Sequence, residues 1–183
     1  MNQVPSIESN SGFRLIVVEG PDGSGKTTLV QQLGSLGFIT TREPNSPHIP
    51  KVPKPEFPHQ SGLEELKAWN LFAAYDHVLH LQWLSQQNTT VVCDRYYPIS
   101  STVYGWFWGY KPIELDFSLS PDLVIILVEA PEVLSDRQKD KLFTPHELHK
   151  LSLLYYRWAE MWHGEVLFFN DISQAEDFIL RSF

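Results

Sequence analysis

Cysteine is almost absent: Cys93 is the single one in 183 residues. No intrachain disulfide is possible, and because Cys93 sits in the apolar run TTVVCD, a buried free thiol without redox or nucleophilic work is expected. Basic residues are scarce too. Fourteen Lys and Arg against 22 Asp and Glu leave a net charge of −8. That balance argues against a nucleic-acid polymer as ligand, since such binding rests on Lys and Arg neutralising many phosphates. Any phosphate site must be local. There is no apolar stretch of about 20 residues and no charged-then-apolar leader, so a soluble, cytoplasmic protein with no membrane partner is expected. The seven histidines have no cysteine partners at metal-ligand spacing. His77/His80 and His146/His149 are expected at the surface, and no zinc site is expected.

What is present fits one core. With 43% apolar residues the chain can bury most of its surface as one domain. Residues 1–12 are polar and aperiodic and are expected to form a flexible tail before a single domain at 13–183. Five short apolar, β-branched runs, FRLIVVE, GFITT, TTVVCD, DLVIILVE and EVLFF, read as strands covered on both faces. Helical stretches separate them: Lys26–Ser35, Gly62–Gln87, Ile99–Trp108, Pro131–Lys139, Pro145–Met161 and Ser173–Ser182. The alternation predicts an α/β fold, a doubly wound five-stranded parallel sheet with helices on both faces. The sharpest boundary is TPHE, where Thr144 caps, Pro145 opens the first turn and Glu147 completes a capping box. The proline-rich segment at 43–62, with its prolines between 44 and 58, favours extended backbone; it reads first as a surface excursion, then as a flap over a substrate, and last as a docking ligand.

The chemistry begins at VVEGPDGSGKTTL. Gly20-x-x-x-x-Gly25-Lys26-Thr27 follows a predicted strand and opens a predicted helix, the context of a P-loop. Gly20, Gly23 and Gly25 let the backbone curl so that N–H groups, with those of Ser24 and Thr28, point at an anion backed by the helix N-terminus. Lys26 then reaches the outer phosphates, and the Thr27 hydroxyl is a candidate Mg²⁺ ligand. Asp94, at the end of TTVVCD, supplies the carboxylate that such a metal site needs, and Arg95 follows it. The expected cofactors are ATP and Mg²⁺.

EGPDGSGKTTL, TREP, LFAA, DRY with a following Ser and Tyr, and PDLVIILVEAPEV with a later Arg resemble the ordered motifs of thymidylate kinases. The resemblance runs from about Phe13 to the C-terminus. It implies strand order 2-3-1-4-5, a short lid near 137–144, a possible homodimer, and transfer of the ATP γ-phosphate to a deoxynucleoside 5'-monophosphate. By the same resemblance Asp22 contacts the sugar 3'-hydroxyl, Arg42 and Arg95 hold the acceptor phosphate, and Phe72 stacks on the base. Tyr104 would exclude a 2'-hydroxyl, and Arg137 would lie over ATP. The chemistry agrees: a monophosphate with a second pKa of about 6 needs no base at neutral pH, but two anions meeting end to end need cations.

Three departures stand out. The family's base-reading arginine, one turn after the stacking Phe, is here Asp76, which reads in two ways: a pocket favouring an exocyclic amino group or using another side chain for thymine, or a one-turn shift or outward-facing Asp76 without a part in the pocket. Lid arginines are replaced by Lys139 and Lys141, a looser clamp. VYGWFWGY, residues 103–110, puts Trp106, Phe107, Trp108 and Tyr110 in the core, on a pocket wall or on a dimer surface. Two rivals remain: a deoxynucleoside kinase with Glu43 as base for a 5'-hydroxyl, and a nucleotide-binding protein that performs no transfer.

Overall fold

The computed structural model describes residues 12–51, 63–115, 119–138 and 142–183. The expected tail at 1–12, the proline-rich stretch beyond Lys51, and Lys139 and Lys141 fall outside this set, apart from Gly12.

Alternating apolar runs and amphipathic segments fold as a parallel sheet with crossover helices. In chain order these are β1 (Arg14–Glu19), α1 (Lys26–Ser35), β2 (Ile39–Arg42), α2 (Leu63–Leu84), β3 (Thr90–Asp94), α3 (Tyr97–Trp108), β4 (Leu123–Leu127), α4 (Pro131–Arg137), α5 (Pro145–Met161), β5 (Val166–Phe169) and α6 (Ile172–Ser182). The strands pair in the order β2-β3-β1-β4-β5, all parallel. That is the expected order. Every strand of such a sheet ends on the same edge, so Glu19, Arg42, Asp94, Leu127 and Phe169 converge there.

Successive side chains of β1 leave opposite faces, which creates two cores. Leu15 and Val17 pack with Val91, Tyr96, Ile99, Leu148 and Tyr155 on the α2, α3 and α5 side. Ile16 and Val18 pack with Leu29, Leu33, Val92, Ala175 and Ile179 on the α1 and α6 side. The capping box forms as expected: Thr144 accepts from the Glu147 N–H, and Glu147 accepts from the Thr144 N–H at 2.8 Å. Cys93 is a fully buried free thiol, also as expected. Among the described residues no helix is long and apolar enough to cross a membrane.

One expectation fails. His77 and His80 are wholly buried rather than at the surface. They lie on the part of α2 that faces the end of β2, where each ring bonds Glu43 through Nδ1.

Candidate active site

The turn after β1 carries the phosphate grip. Gly20 (φ 137°) and Gly23 (φ 85°) adopt backbone conformations that side chains resist, and a Cβ on either would strike a main-chain carbonyl, of Leu127 or Leu134. Gly25 is the N-cap of α1, so the loop delivers its N–H groups to the positive end of that helix. Lys26 Nζ donates to the Pro21 carbonyl at 2.6 Å and to Ser24 Oγ at 3.4 Å. Burial first, then repulsion from Arg95, brings the Lys26 ammonium down to about 8, against the opposing pull of Asp22, Asp94 and Glu19.

Beside it, the Thr27 hydroxyl donates to Asp94 Oδ2 at 2.6 Å. These are hard oxygen donors beside the glycine-rich loop, the donor set Mg²⁺ takes, so the pair fits the ion. Arg95 follows Asp94 with a left-handed φ of 71°, a turn that aims its guanidinium across the sheet edge. There it pairs with Asp22 and donates to the Tyr104 hydroxyl at 3.4 Å. Burial alone would raise the Asp22 carboxyl, but Arg95 and Lys26 hold it below its usual value. Arg42 stands on the rim, mostly exposed, its Nε donating to the Asn45 carbonyl at 3.2 Å.

The loop from Asp22 to Thr27, with Arg42, Asp94, Arg95 and Tyr104, lines one cavity together with Thr28, Glu129 and Arg137, whereas Gly20 is not among the lining residues. Arg137 is half exposed and lies 3.9 Å from Glu129. The Gln138 amide binds both the N–H and the C=O of Phe143, each at 3.0 Å. The lining residues other than the P-loop come from two parts of the fold, here termed arms. One arm runs past Thr28 and Gln31 to Asn170, Asp171, Ile172 and Gln174 after β5; the other runs between α2 and α3.

The second arm departs from the sequence reading. α2 gives it Trp69, Asn70 and Ala73, whereas Phe72 and Asp76 are not among the residues that line it. Phe72 is buried, tilted against Trp69 with ring centroids 5.5 Å apart, so the aromatic that α2 offers the cavity is Trp69. Asp76 is also buried, and its Oδ1 accepts from the Asn45 N–H at 3.0 Å. Its Oδ2 has no partner among the described residues, and burial raises its carboxyl, reinforced by repulsion from Glu43. In this structure Asp76 braces the turn after β2 and does not line the cavity. Of the aromatic segment, Trp108 and Tyr110 stand on the cavity wall, while Trp106 and Phe107 pack against the core.

Glu43 is equally engaged. Its Oε1 takes His77 and His80, and its Oε2 accepts from the Tyr97 N–H at 2.6 Å. Burial would raise its carboxyl, but His77 and then His80 overcome this and hold it at about 2. The donor atoms of Glu43, His80 and Cys93 lie within 4.8 Å of one another, a metal-like grouping. Hydrogen bonds occupy it instead: Thr41 meets His80 Nε2 at 2.8 Å, and the Cys93 thiol, pushed up by burial, donates to the Arg95 carbonyl.

Sequence reading missed Glu19. This fully buried carboxylate accepts from the Tyr96 N–H (2.8 Å), the Ser100 hydroxyl (2.6 Å) and the Tyr155 hydroxyl (2.9 Å), fixing the start of α3 and hence Arg95. A lone acid ending an apolar strand was the available signal. Trp69, Asn70 and the Asn170–Gln174 turn carried no motif at all.

Comparison with known proteins agrees with this geometry. The thymidylate kinase family model matches residues 18–168. Probable thymidylate kinase 1 of Saccharolobus solfataricus is 36% identical over 193 residues, covering 92% of this chain and 93% of that protein. A probable thymidylate kinase of Methanococcus aeolicus is 29% identical over 184 residues, covering 90% and 91%. The deoxyadenosine kinase of M. mycoides with bound dATP has the same fold (TM-score 0.70, 17% identity, 92% of this chain and 98% of that one). So does thymidylate kinase from Ehrlichia chaffeensis (TM-score 0.62, 17% identity, 93% and 98%). A P-loop with its Thr–Asp pair, arginines at the ends of β2 and β3, and a match over most of the chain have one reading: this protein belongs to the thymidylate kinase family, which are nucleoside monophosphate kinases.

Proposed function

We propose that this chain transfers the γ-phosphoryl group of ATP to the 5'-phosphate of dTMP, giving dTDP and ADP. The observation that carries this reading is the state of the two groups after β2 and β3. Glu43, the carboxylate that stands where the deoxynucleoside kinase reading needs a base for a 5'-hydroxyl, has both oxygens occupied and is held at about 2, a poor proton acceptor at neutral pH. Arg42 and Arg95 line the same cavity. An acceptor that arrives as a dianion needs those cations and no base.

The chain's own residues divide the task. The P-loop N–H groups and Lys26 hold the donor phosphates, with Arg137 above them. Thr27 and Asp94 would hold Mg²⁺, which would supply charge neutralisation for the donor phosphates. Arg42 and Arg95 take the acceptor phosphate, Asp22 the sugar 3'-hydroxyl, and Tyr104 the space a 2'-hydroxyl would fill; Lys139 and Lys141 belong to the lid. Domain limits of 13–183 and a cytoplasmic setting go with this reading. Exposed Leu71 and Tyr75, one turn apart on α2, support a homodimer, which sedimentation would test.

The experiment is product analysis by ion-exchange chromatography with ATP, Mg²⁺ and either dTMP or thymidine. The expected result is dTDP and ADP from dTMP alone. Conversion of thymidine to dTMP, with dTMP inert, would overturn the reading.

A further inference from the structure

A carboxamide in the wall of the α2–α3 arm has its polarity fixed. Asn70 is 5% exposed and lines the cavity. Its Oδ1 accepts from the Tyr97 hydroxyl at 2.8 Å, closer than that hydroxyl's other acceptor, the Ile113 carbonyl at 3.1 Å. A phenol has one proton, and the shorter bond assigns it to Asn70. With the oxygen turned inward, Nδ2 carries both remaining N–H bonds and has no partner among the described residues. Tyr97 itself is anchored through its backbone N–H on Glu43. The clamp is therefore tied to the same network that fixes the turn after β2.

From this juxtaposition we infer that Asn70, oriented by Tyr97, is the residue that reads the acceptor base, and that it reads a carbonyl. An amide that can only donate matches the 4-carbonyl of thymine or uracil. It confronts the 4-amino group of cytosine with a second donor, so that two N–H groups meet without an acceptor. Ser101 also lines this arm, but a hydroxyl rotates to suit either partner and cannot discriminate. Trp69, beside Asn70 on the same wall, supplies the flat apolar surface that a pyrimidine ring covers. Asp76 has no part in the choice, because its carboxylate faces Asn45.

This rests on a monophosphate being the acceptor, and the test separates the two claims. dTMP and dCMP are offered at saturating MgATP to the wild type, Asn70→Asp, Tyr97→Phe and Asp76→Asn, and kcat and KM are measured for each. The wild type prefers dTMP. Asn70→Asp turns the donor into an acceptor, so kcat/KM for dTMP falls about 10- to 100-fold and that for dCMP rises, with the KM for ATP unchanged. Tyr97→Phe releases the amide to turn over, and the dTMP/dCMP ratio shrinks about tenfold while its direction is kept; this variant decides the matter if Asn70→Asp does not fold. Asp76→Asn moves the ratio less than twofold, whatever it does to stability.

A wild-type preference for dCMP would mean that the amide is turned over, and the inference is wrong. It is equally wrong if dTMP is phosphorylated but neither the Asn70 nor the Tyr97 variant moves the ratio. If no monophosphate is phosphorylated by the wild type, the proposed function itself fails.

Discussion

Lys26 is expected to make ATP binding sensitive to pH between about 7 and 9, above the range in which phosphates, carboxylates and histidines titrate. Its ammonium is buried among Pro21, Ser24 and Arg95 and titrates at about 8 rather than the usual value above 10. Phosphate oxygens replacing the Pro21 carbonyl return it to at least its ordinary value, so above pH 8 binding must draw a proton from solution. Raising the pH from 7 to 9 takes the protonated fraction of the free protein from about nine-tenths to about one-tenth. Apparent MgATP affinity falls about eight- to tenfold, and each binding event takes up about 0.1 proton at pH 7 and about 0.9 at pH 9. The fold responds in the opposite sense. A lysine whose folded pKa is depressed leaves the unfolded chain holding more protons between about 8 and 10.5, so stability rises with pH across that window. Isothermal titration in buffers of different ionisation enthalpy measures the uptake directly. The control is Lys26→Arg, which stays charged throughout and shows weaker but pH-independent affinity. Affinity that is flat from pH 7 to 9 with no proton uptake by the wild type would refute the reasoning.

Two other outcomes are expected. Glu43→Gln lowers the melting temperature by about 3–10 °C at pH 7, because it disturbs a buried network worth roughly 1–3 kcal/mol in a chain of this size, yet leaves kcat for dTMP within about tenfold. Since the folded carboxyl titrates at about 2, its contribution is complete above about 4.5 and fades as pH falls towards 2; thermal melts should show the gap between the two proteins closing in that range. A loss of activity beyond about 10³-fold with an unchanged melting temperature would instead make Glu43 a base. Tyr104→Ala opens the space beside Asp22, so phosphorylation of the ribonucleotide analogue of dTMP rises at least tenfold relative to dTMP, read from the ratio of kcat/KM values. An unchanged ratio would remove Tyr104 from sugar selection.

How much of this was legible in the sequence follows from how local each signal is. The P-loop and the Thr27–Asp94 pair depend on spacing within a turn and on a strand end, and both formed where the residues placed them. The TPHE cap is a four-residue event and formed likewise. What failed lay on α2. That helix is apolar over much of its circumference, with Phe72, Ala74, Leu81 and Leu84 buried, so periodicity did not say which residues faced the cavity and which the core. Phe72 and Asp76 were expected at the base, but the face turned to the cavity carries Trp69, Asn70 and Ala73. His77 and His80 were expected in solvent because isolated histidines usually are. Their burial depends on Glu43, more than 30 positions away in the chain, and only the tertiary structure joins them. Glu19 was passed over for the same reason, since its three donors come from α3, its approach and α5.

The central claim is that two nucleotides meet phosphate to phosphate across Lys26, Arg42 and Arg95, in the two arms of the cavity. The most direct measurement is the affinity of a single molecule carrying adenosine and thymidine at opposite ends of a five-phosphate chain, titrated in the presence of Mg²⁺. Filling both arms at once, it binds at least about 100-fold more tightly than ATP or dTMP alone, and Arg95→Met abolishes that advantage. Affinity no better than that of ATP, or an advantage that survives the loss of Arg95, would contradict the account.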